Sequence, residues 1–506
     1  MSFNRKNRNN KRLIVIGAGL GGLASAIRMQ AAGYEVLLLE KTNQIGGKAS
    51  VFKINNYIFD TGPTAITVPH LIQELFDLNN ENMSNFLELI PIEPYFRIYF
   101  HDGSYFNYST VEENLAQIAK ISPYDVQGYK KMMKSIEPIF QKGFLELSDK
   151  PFKSFFSMLK IGPPLLKLGA YRSVYSYVSK YIKNEKLRMV FTYHPLLIGG
   201  NPFKITSIYM LIQAVEKEWG VWFVKGGTNS LVRELGNLFT RLGGEIILNN
   251  EVERIIVSDR SAVEGVTTKD GKYYESSIII SNAHIATTYM NMIKEKCRKK
   301  NSNKRYTNAT YGMSVFMIYF GTDCKYPDLY IHNILLGPRY KGLLDDIFTK
   351  KQLSEKGDFS AYLYIPTRVD PSLASGEGES CYVLVPVPNQ DSGIDWQIEK
   401  KQFRDHIIGF LEKRYMPGLQ KHIKAEKILT PADFENLHSD YKGAVFSLAP
   451  TFLQSAYFRP HNQSEDIKGL YIVGAGTHPG GGIPGVITSA KLTSNLILQS
   501  FLKTKN

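Results

Sequence analysis

Two hydrophobic periods organise this chain. Leu13 to Ile16 form a continuous apolar run, the pattern of a strand buried on both faces. Ala24 to Ala32 read as a helix that Gly33 ends, and Val36 to Leu39 form a second buried strand that stops at Glu40. The same alternation returns far downstream. Asn229 to Arg241 read as a helix closed by Gly243-Gly244, and Glu245 to Leu248 as a strand. Glu251 to Val257 follow as another strand, and Val263 to Thr268 with Ser277 to Ser281 are expected to extend the sheet, with a hairpin turn at Asp270-Gly271. Val315 to Phe320, Ser360 to Ile365 and Cys381 to Val387 predict a second sheet, and Trp396 to Arg414 an amphipathic helix. Leu470 to Val473 predict a last buried strand, followed by a helix from Pro484 through Leu498.

Gly17, Gly19 and Gly22 sit between the first strand and its helix in GxGxxG spacing. In that register the first glycine makes the turn, the second admits a pyrophosphate and the third lets helix and strand pack closely. The amides of the helix N-terminus then face the phosphates. Glu40, eighteen residues past Gly22, stands where a carboxylate accepts hydrogen bonds from a ribose. Strand, glycines, helix, strand and acid in register imply dinucleotide binding. Arg5, Lys6, Arg8, Lys11 and Arg12 before an apolar run imitate a secretory leader. Cleavage after that run would destroy the βαβ unit, so that reading is rejected.

Further glycine-rich stretches extend the candidate site. Gly46-Gly47-Lys48 and Asp60-Thr61-Gly62-Pro63-Thr64 permit close backbone approach, and Lys48 can meet phosphate charge. Gly474-Ala475-Gly476 imitates a second fingerprint, but Pro479 occupies the place of its third glycine. The better account is a helix N-terminus aimed at an electron-rich ring, with amides near Gly485 to Ile487 stabilising negative charge on a reduced flavin.

The 506 residues suffice for two or three domains, and no internal repeat is visible. Cys297, Cys324 and Cys381 are far apart and odd in number, which suggests a reducing compartment and neither a redox pair nor a metal site. No apolar stretch of about 18 residues predicts a membrane span. Net charge is +14. Part of it lies in Pro151 to Lys183, where Lys153, Lys160, Lys167, Arg172, Lys180 and Lys183 meet no acid. Phe152, Phe155, Phe156, Tyr171, Tyr175, Tyr177 and Tyr181 are interleaved with them. Such a segment suits a headgroup boundary, or an ordinary solvated basic face. Without a binding motif the charge does not imply nucleic acid. Cys297 to Arg305 reads as a solvated basic loop.

Taken together, these motifs resemble the bacterial-type phytoene desaturases, flavin-dependent carotenoid enzymes. The resemblance rests on the fingerprint with Glu40, on Gly46-Gly47-Lys48 and on Asp60 to Thr64. It continues in Glu218 to Phe223, Gly226-Gly227, Gln454-Ser455-Ala456, Phe458-Arg459-Pro460-His461-Asn462 and Gly474 to Lys491, and so spans nearly the whole chain. Two departures stand out. Lys48 replaces the usual Arg, making a bidentate phosphate contact a point charge. The acid that the wider flavoprotein class often carries near Gly476 is absent.

The resemblance implies an α/β fold with a discontinuous Rossmann-like FAD-binding domain and a second, mixed α+β substrate domain. The FAD domain is expected at 1–105, 224–290 and 460–506, and the substrate domain, membrane-facing in its first part, at 106–223 and 291–459. Expected FAD contacts are Gly17, Gly19, Gly22, Glu40, Gly46, Gly47, Lys48, Gly62, Pro63, Thr64, Val252, Gly474, Gly476, Gly485 and Val486. The implied reaction is desaturation of phytoene to a carotene such as lycopene. His478, His461 and His194 are candidates for proton transfer, each also open to a structural role. The expected setting is cytoplasmic, at the membrane surface. Two alternatives stay open: a desaturase or ketolase of C30 or hydroxylated carotenoids, and a lipid-binding protein of the GDP-dissociation-inhibitor type. The latter lacks a working flavin site, whereas both glycine blocks here are intact.

Overall fold

The structure, a computed structural model, describes residues 12–152, 162–164, 167–354, 358–374 and 376–503. A five-stranded parallel sheet runs in the order Leu470–Ile472, Ile279–Ser281, Arg12–Ile16, Glu35–Leu39, Glu245–Ile247. The apolar runs are continuous because both faces of this sheet are covered. Leu13, Val15, Val36 and Leu38 pack into the core shared with the helices Leu20–Ala31, Thr228–Arg241 and Ile483–Lys503. Ile14, Ile16, Leu37 and Leu39 face the other way, onto Val252, Ile255 and Val266.

Those last residues belong to a separate antiparallel sheet of Val252–Val257, Val263–Thr268 and Tyr273–Glu275. Of the strands expected to extend the parallel sheet, the 277–281 run does so as Ile279–Ser281, whereas Val263–Thr268 joins Val252–Val257 in a third layer upon it. Their alternating exposure shows why: one face of this small sheet packs inward and the other meets solvent. Gly271 closes the hairpin with φ of 83°.

A seven-stranded sheet runs in the order Ile423–Leu429, Ser314–Thr322, Glu379–Val387, Ala361–Tyr364, His332–Leu335, Phe96–Tyr99, Tyr105–Tyr108. Phe316, Ile318, Cys381 and Val383 pack against the helix Trp396–Arg414 on one face. Val315, Met317, Tyr319, Tyr362, Tyr364 and Tyr382 turn the other face toward the main core. Because Phe96–Tyr99 pairs with His332–Leu335 in this sheet, the expected boundary at 105 falls too late. The chain has already left the first sheet.

Two surface readings also change. Arg298 is buried, donating to Asn301 and Asn303, while Asp466 accepts the amides of Lys299, Lys300 and Asn301. The 297–305 segment is thus a tied structure and not a free basic loop. Within the basic aromatic segment, Phe152 and Tyr177 are core residues. Tyr177 shares a hydrogen bond with Ser135, and Phe152 meets His478 edge-on at 4.8 Å. Lys153, Phe155, Phe156 and Lys160 lie outside the described residues. Among the described residues, no helix is long and apolar enough to cross a membrane.

Candidate functional site

The site is built where three remote backbone segments converge on the first βα turn. The helix Leu20–Ala31 starts at Gly19, and no side chain caps it. Its first amides are therefore available to an anion. A Cβ on Gly22 would lie 2.0 Å from the carbonyl oxygen of Gly17, so only glycine lets the helix sit this close to the turn. Gly19 forms a bridge with Gly46, and the Gly46 amide donates to the Ala18 carbonyl at 2.8 Å. Gly474 approaches from the C-terminal segment. The side chain of Asn282 lies among all of these, donating to the Gly17 carbonyl at 3.3 Å and within 2.8 Å of a Cβ on Gly474. Asn282 escaped the sequence reading because its strand carries no motif; it follows Ile279–Ser281 at the end of the central sheet.

Glu40 is buried at the tip of the second strand. Its Oε2 accepts from the Ala18 amide at 2.7 Å, and its Oε1 from the amide and hydroxyl of Thr42 at 2.9 Å. The Glu40 carbonyl also accepts the Asn250 amide, which brings Val252 to the same end of the site. These features fit a dinucleotide: a cradle cleared of side chains, an uncapped helix end and a fixed carboxylate at the next strand tip.

Lys48 goes elsewhere. Its Nζ donates to both carboxylate oxygens of Asp440, at 2.7 and 2.8 Å, and to the Val445 carbonyl at 2.8 Å. The sequence reading could not foresee an acid 392 residues away.

The 60–64 loop is held from two sides. Buried Asp60 accepts the amides of Thr228 and Asn229 at the start of the helix Thr228–Arg241, and Thr228 donates to the Pro63 carbonyl. From the seven-stranded sheet, Tyr319 donates to the Thr61 carbonyl at 2.8 Å and Tyr382 to the Gly62 carbonyl at 3.1 Å. Tyr362 bonds Thr64 Oγ1 at 2.9 Å and His332 Nδ1 at 2.6 Å. An aromatic sheet face thus docks on the 61–64 loop.

The 474–486 segment follows the last strand of the parallel sheet. A Cβ on Gly485 would stand 2.6 Å from the Gly480 carbonyl oxygen, so this glycine serves the loop's own closure. Gly482, with φ of 90°, meets nothing closer than Pro484 at 4.0 Å. Gly476 fits against Ile285, and Val486 donates its amide to the Gly482 carbonyl.

The three candidate histidines do not assemble. His194 donates to Glu216 at 2.9 Å inside the core, stacked on Tyr193. His461 donates to the Tyr457 carbonyl. His478 donates to the Leu147 carbonyl at 3.1 Å, and burial pushes its pKa down to about 4. Only His478 belongs to the glycine-rich loop. At the edge of the seven-stranded sheet, Asp323, Cys324 and His422 bring potential ligand atoms within 4.8 Å of one another. Lys424 already neutralises Asp323 there at 3.0 Å.

The chain was compared with known proteins. A model of the flavin containing amine oxidoreductases matches residues 20–498. The chain is 44% identical over 491 residues to a lycopene-forming phytoene desaturase of Pseudescherichia vulneris, covering 97% of this chain and 99% of the relative. Identity is 38% to a neurosporene-forming phytoene desaturase of Rhodobacter capsulatus, over 96% of this chain and 94% of the relative. It is 33% to a 4,4'-diapophytoene desaturase of Methylomonas sp., over 97% and 96%. Among solved structures, putrescine oxidase aligns with a TM-score of 0.65 at 12% identity, covering 97% of this chain and 99% of that one. An oxidoreductase from Methanosarcina mazei aligns at 0.61 and 14%, covering 96% and 100%. At these identities the structural likeness speaks for the fold.

Proposed function

This chain belongs to the flavin-containing amine oxidoreductase family, and from that premise we propose that it is an FAD-dependent phytoene desaturase forming a more conjugated carotene such as lycopene. The observation that carries the reading is its end-to-end match to lycopene-forming enzymes, with the nucleotide cradle intact.

In this reading Gly17, Gly19, Gly22 and the uncapped amides hold the diphosphate, with Gly46 and Gly47 beside them. Glu40 would take the ribose, with Val252 at the same end of the site. Lys48, held by Asp440 and Val445, would meet the phosphates only on leaving those partners. Gly62, Pro63 and Thr64, with Gly474, Gly476, Gly485 and Val486, would hold the flavin ring. When bound, FAD supplies the acceptor for a hydride from an allylic carbon of phytoene. The remaining work falls to the protein. The hydrogen-bonded 60–64 loop and the tyrosine face would orient the polyene and exclude water. A hydrocarbon offers no hydrogen bonds, so affinity comes from apolar burial, at about 25 cal/mol per Å².

Peripheral membrane contact is part of the proposal. Tyr171, Phe452 and Leu453 are exposed, and the segments that carry them both adjoin Ser207–Met210. Ser207 donates its amide to the Arg172 carbonyl, and Tyr209 pairs with Ser455. Basic Lys167 and Arg172 are nearby in sequence, giving the mixed character of a headgroup boundary.

The test is direct. Purified protein with FAD is incubated with phytoene in liposomes, and the products are read by absorption and chromatography. New bands at the longer wavelengths of an extended polyene are expected. Unchanged phytoene with fully loaded enzyme and an added electron acceptor overturns the reading. Conversion only of a C30 or hydroxylated polyene replaces phytoene as substrate.

A further inference from the structure

The Phe458 to Asn462 stretch stands out in the sequence, yet the nucleotide cradle makes no use of it. Its structural role centres on Arg459, which is 2% exposed. Every hydrogen bond the guanidinium makes among the described residues goes to a backbone carbonyl. Nε donates to Thr477 at 3.0 Å, Nη1 to Gln454 at 3.3 Å, and Nη2 to Ala475 at 2.5 Å and Leu448 at 3.5 Å. No carboxylate among the described residues pairs with it. Two of the four carbonyls belong to the glycine-rich 474–486 segment. Asn462 grips the next residue, donating to the His478 carbonyl at 2.9 Å, and Thr477 donates back to Pro460.

A buried cation without a counterion is costly, and carbonyl dipoles offset only part of that cost. A hydrophobic side chain would fill the same space more cheaply if packing were the only demand. The start of the long helix Ile483–Lys503 adds a second positive potential to the same loop. Two positive sources, one a full charge, thus converge where no carboxylate among the described residues pairs with the cation.

We propose that Arg459 is a positioning and potential-setting residue: it clamps the 474–479 turn by its carbonyls, and its charge raises the reduction potential of a flavin bound against that turn. The inference rests on the reading that the 474–486 segment faces the flavin ring. Desaturation removes two electrons from the substrate as a hydride and releases a proton from the neighbouring carbon. The hydride brings negative charge into the ring, and a nearby fixed cation favours that state. A hydrocarbon is a reluctant hydride donor, so a raised potential assists the reaction directly.

The experiment measures the midpoint potential of bound FAD by spectroelectrochemistry in the parent, Arg459→Lys and Arg459→Met holoproteins. The adenosine half of the site lies elsewhere, so both variants are expected to retain FAD. Arg459→Met should shift the potential to more negative values and slow anaerobic flavin reduction by phytoene roughly tenfold or more. Arg459→Lys, which keeps the charge but loses the planar fork, should stay closer to the parent. An Arg459→Met potential equal to the parent's overturns the assignment. Should the Met variant not fold, the parent decides: its bound FAD must lie above free FAD in potential, and a value at or below free FAD overturns the proposal. Gly482→Ala tests the premise separately, through the visible circular dichroism of the flavin. No change there removes the premise. A clear change together with an unmoved Arg459→Met potential removes the role of Arg459 alone.

Discussion

Lys48 Nζ lies within 2.8 Å of both carboxylate oxygens of Asp440, and the acid is the buried partner, with 3% of its side chain exposed against 36% for the lysine. The pair links the first glycine region to the 440–445 segment. If Lys48 serves the diphosphate as proposed, Asp440 would compete for its charge. Asp440→Asn is therefore expected to lower the Kd for FAD, and Lys48→Met to raise it, both read by fluorescence titration. Lys48→Met also leaves a buried carboxylate unpaired. It should cost about 1–3 kcal/mol of stability in a urea melt, because the lysine is partly solvated.

Gly19→Val places a side chain where Asn282 Nδ2 already stands 2.9 Å from an ideal Cβ. The same atoms would block a pyrophosphate. The variant should purify colourless and take up no FAD in a flavin-absorbance assay, while far-ultraviolet circular dichroism stays close to the parent's. Full flavin occupancy would remove the loop from the site.

Gly485→Leu and Gly482→Ala should separate two roles of glycine in one segment. The first drives a side chain into the Gly480 carbonyl and should lose both activity and several degrees of Tm. The second has room around it and should keep its fold, with only the strain of a left-handed Ala at about 1 kcal/mol. Equal losses of Tm in the two variants would contradict this distinction.

Acid should unfold the protein. Burial lowers the pKa of His284, His332 and His438 to about 3 and that of His478 to about 4, from an ordinary 6.5. Nearby Lys48 adds to the effect at His284 and His438. Below pH 6.5 the unfolded chain protonates these four groups and the native chain does not, so their stabilisation is lost as pH falls toward 4. Asp60 and Asp440, raised to about 6 by burial, act in the opposite sense over much of that range. Four protons against two leaves a net uptake of about two on unfolding near pH 5. Stability should rise with pH there by roughly 3 kcal/mol per unit. Denaturant melts at pH 5, 6 and 7 check the slope, and a flat or falling profile would be incompatible with neutral buried histidines.

Charge reversal at Lys153, Lys160 and Lys167 together should weaken binding to anionic liposomes, with each lysine worth about 1 kcal/mol at the surface. Sedimentation should show less bound protein than for the parent, and added salt should narrow the difference. FAD content should not change. Sedimentation equal to the parent's would assign the charge to a solvated face.

The βαβ unit was legible because its glycines and apolar runs are local signals, and so was the strand–turn–helix at Gly474. The helix Trp396–Arg414 was readable for the same reason. The layer formed by Val252–Val257 and its neighbours was not, because a strand's sequence does not say which sheet it joins. Arg298 read as solvated because its partners Asn301 and Asn303 are polar and carry no pattern. The tyrosines at 319, 362 and 382 read as ordinary strand residues. Only strand pairing brings their hydroxyls to the 61–64 loop, some 258–320 residues away. Long-range polar partners have no period, and both Asn282 and Asp440 fall in that class.

The order of strands in the parallel sheet has a consequence for the newly made chain. Its edge strand Leu470–Ile472 is synthesised long after Arg12–Ile16, yet it completes the same sheet by pairing with Ile279–Ser281. A nascent chain emerging from the ribosome can complete the first βαβ unit early, but it must wait for Leu470–Ile472 before the sheet is whole. Such distant closure is slow, and it leaves a strand edge open to wrong partners meanwhile. A dinucleotide that bridges both ends of the chain would bind only after that closure and hold it shut. Flavin supply during expression should therefore govern how much protein remains soluble, before any question of turnover arises.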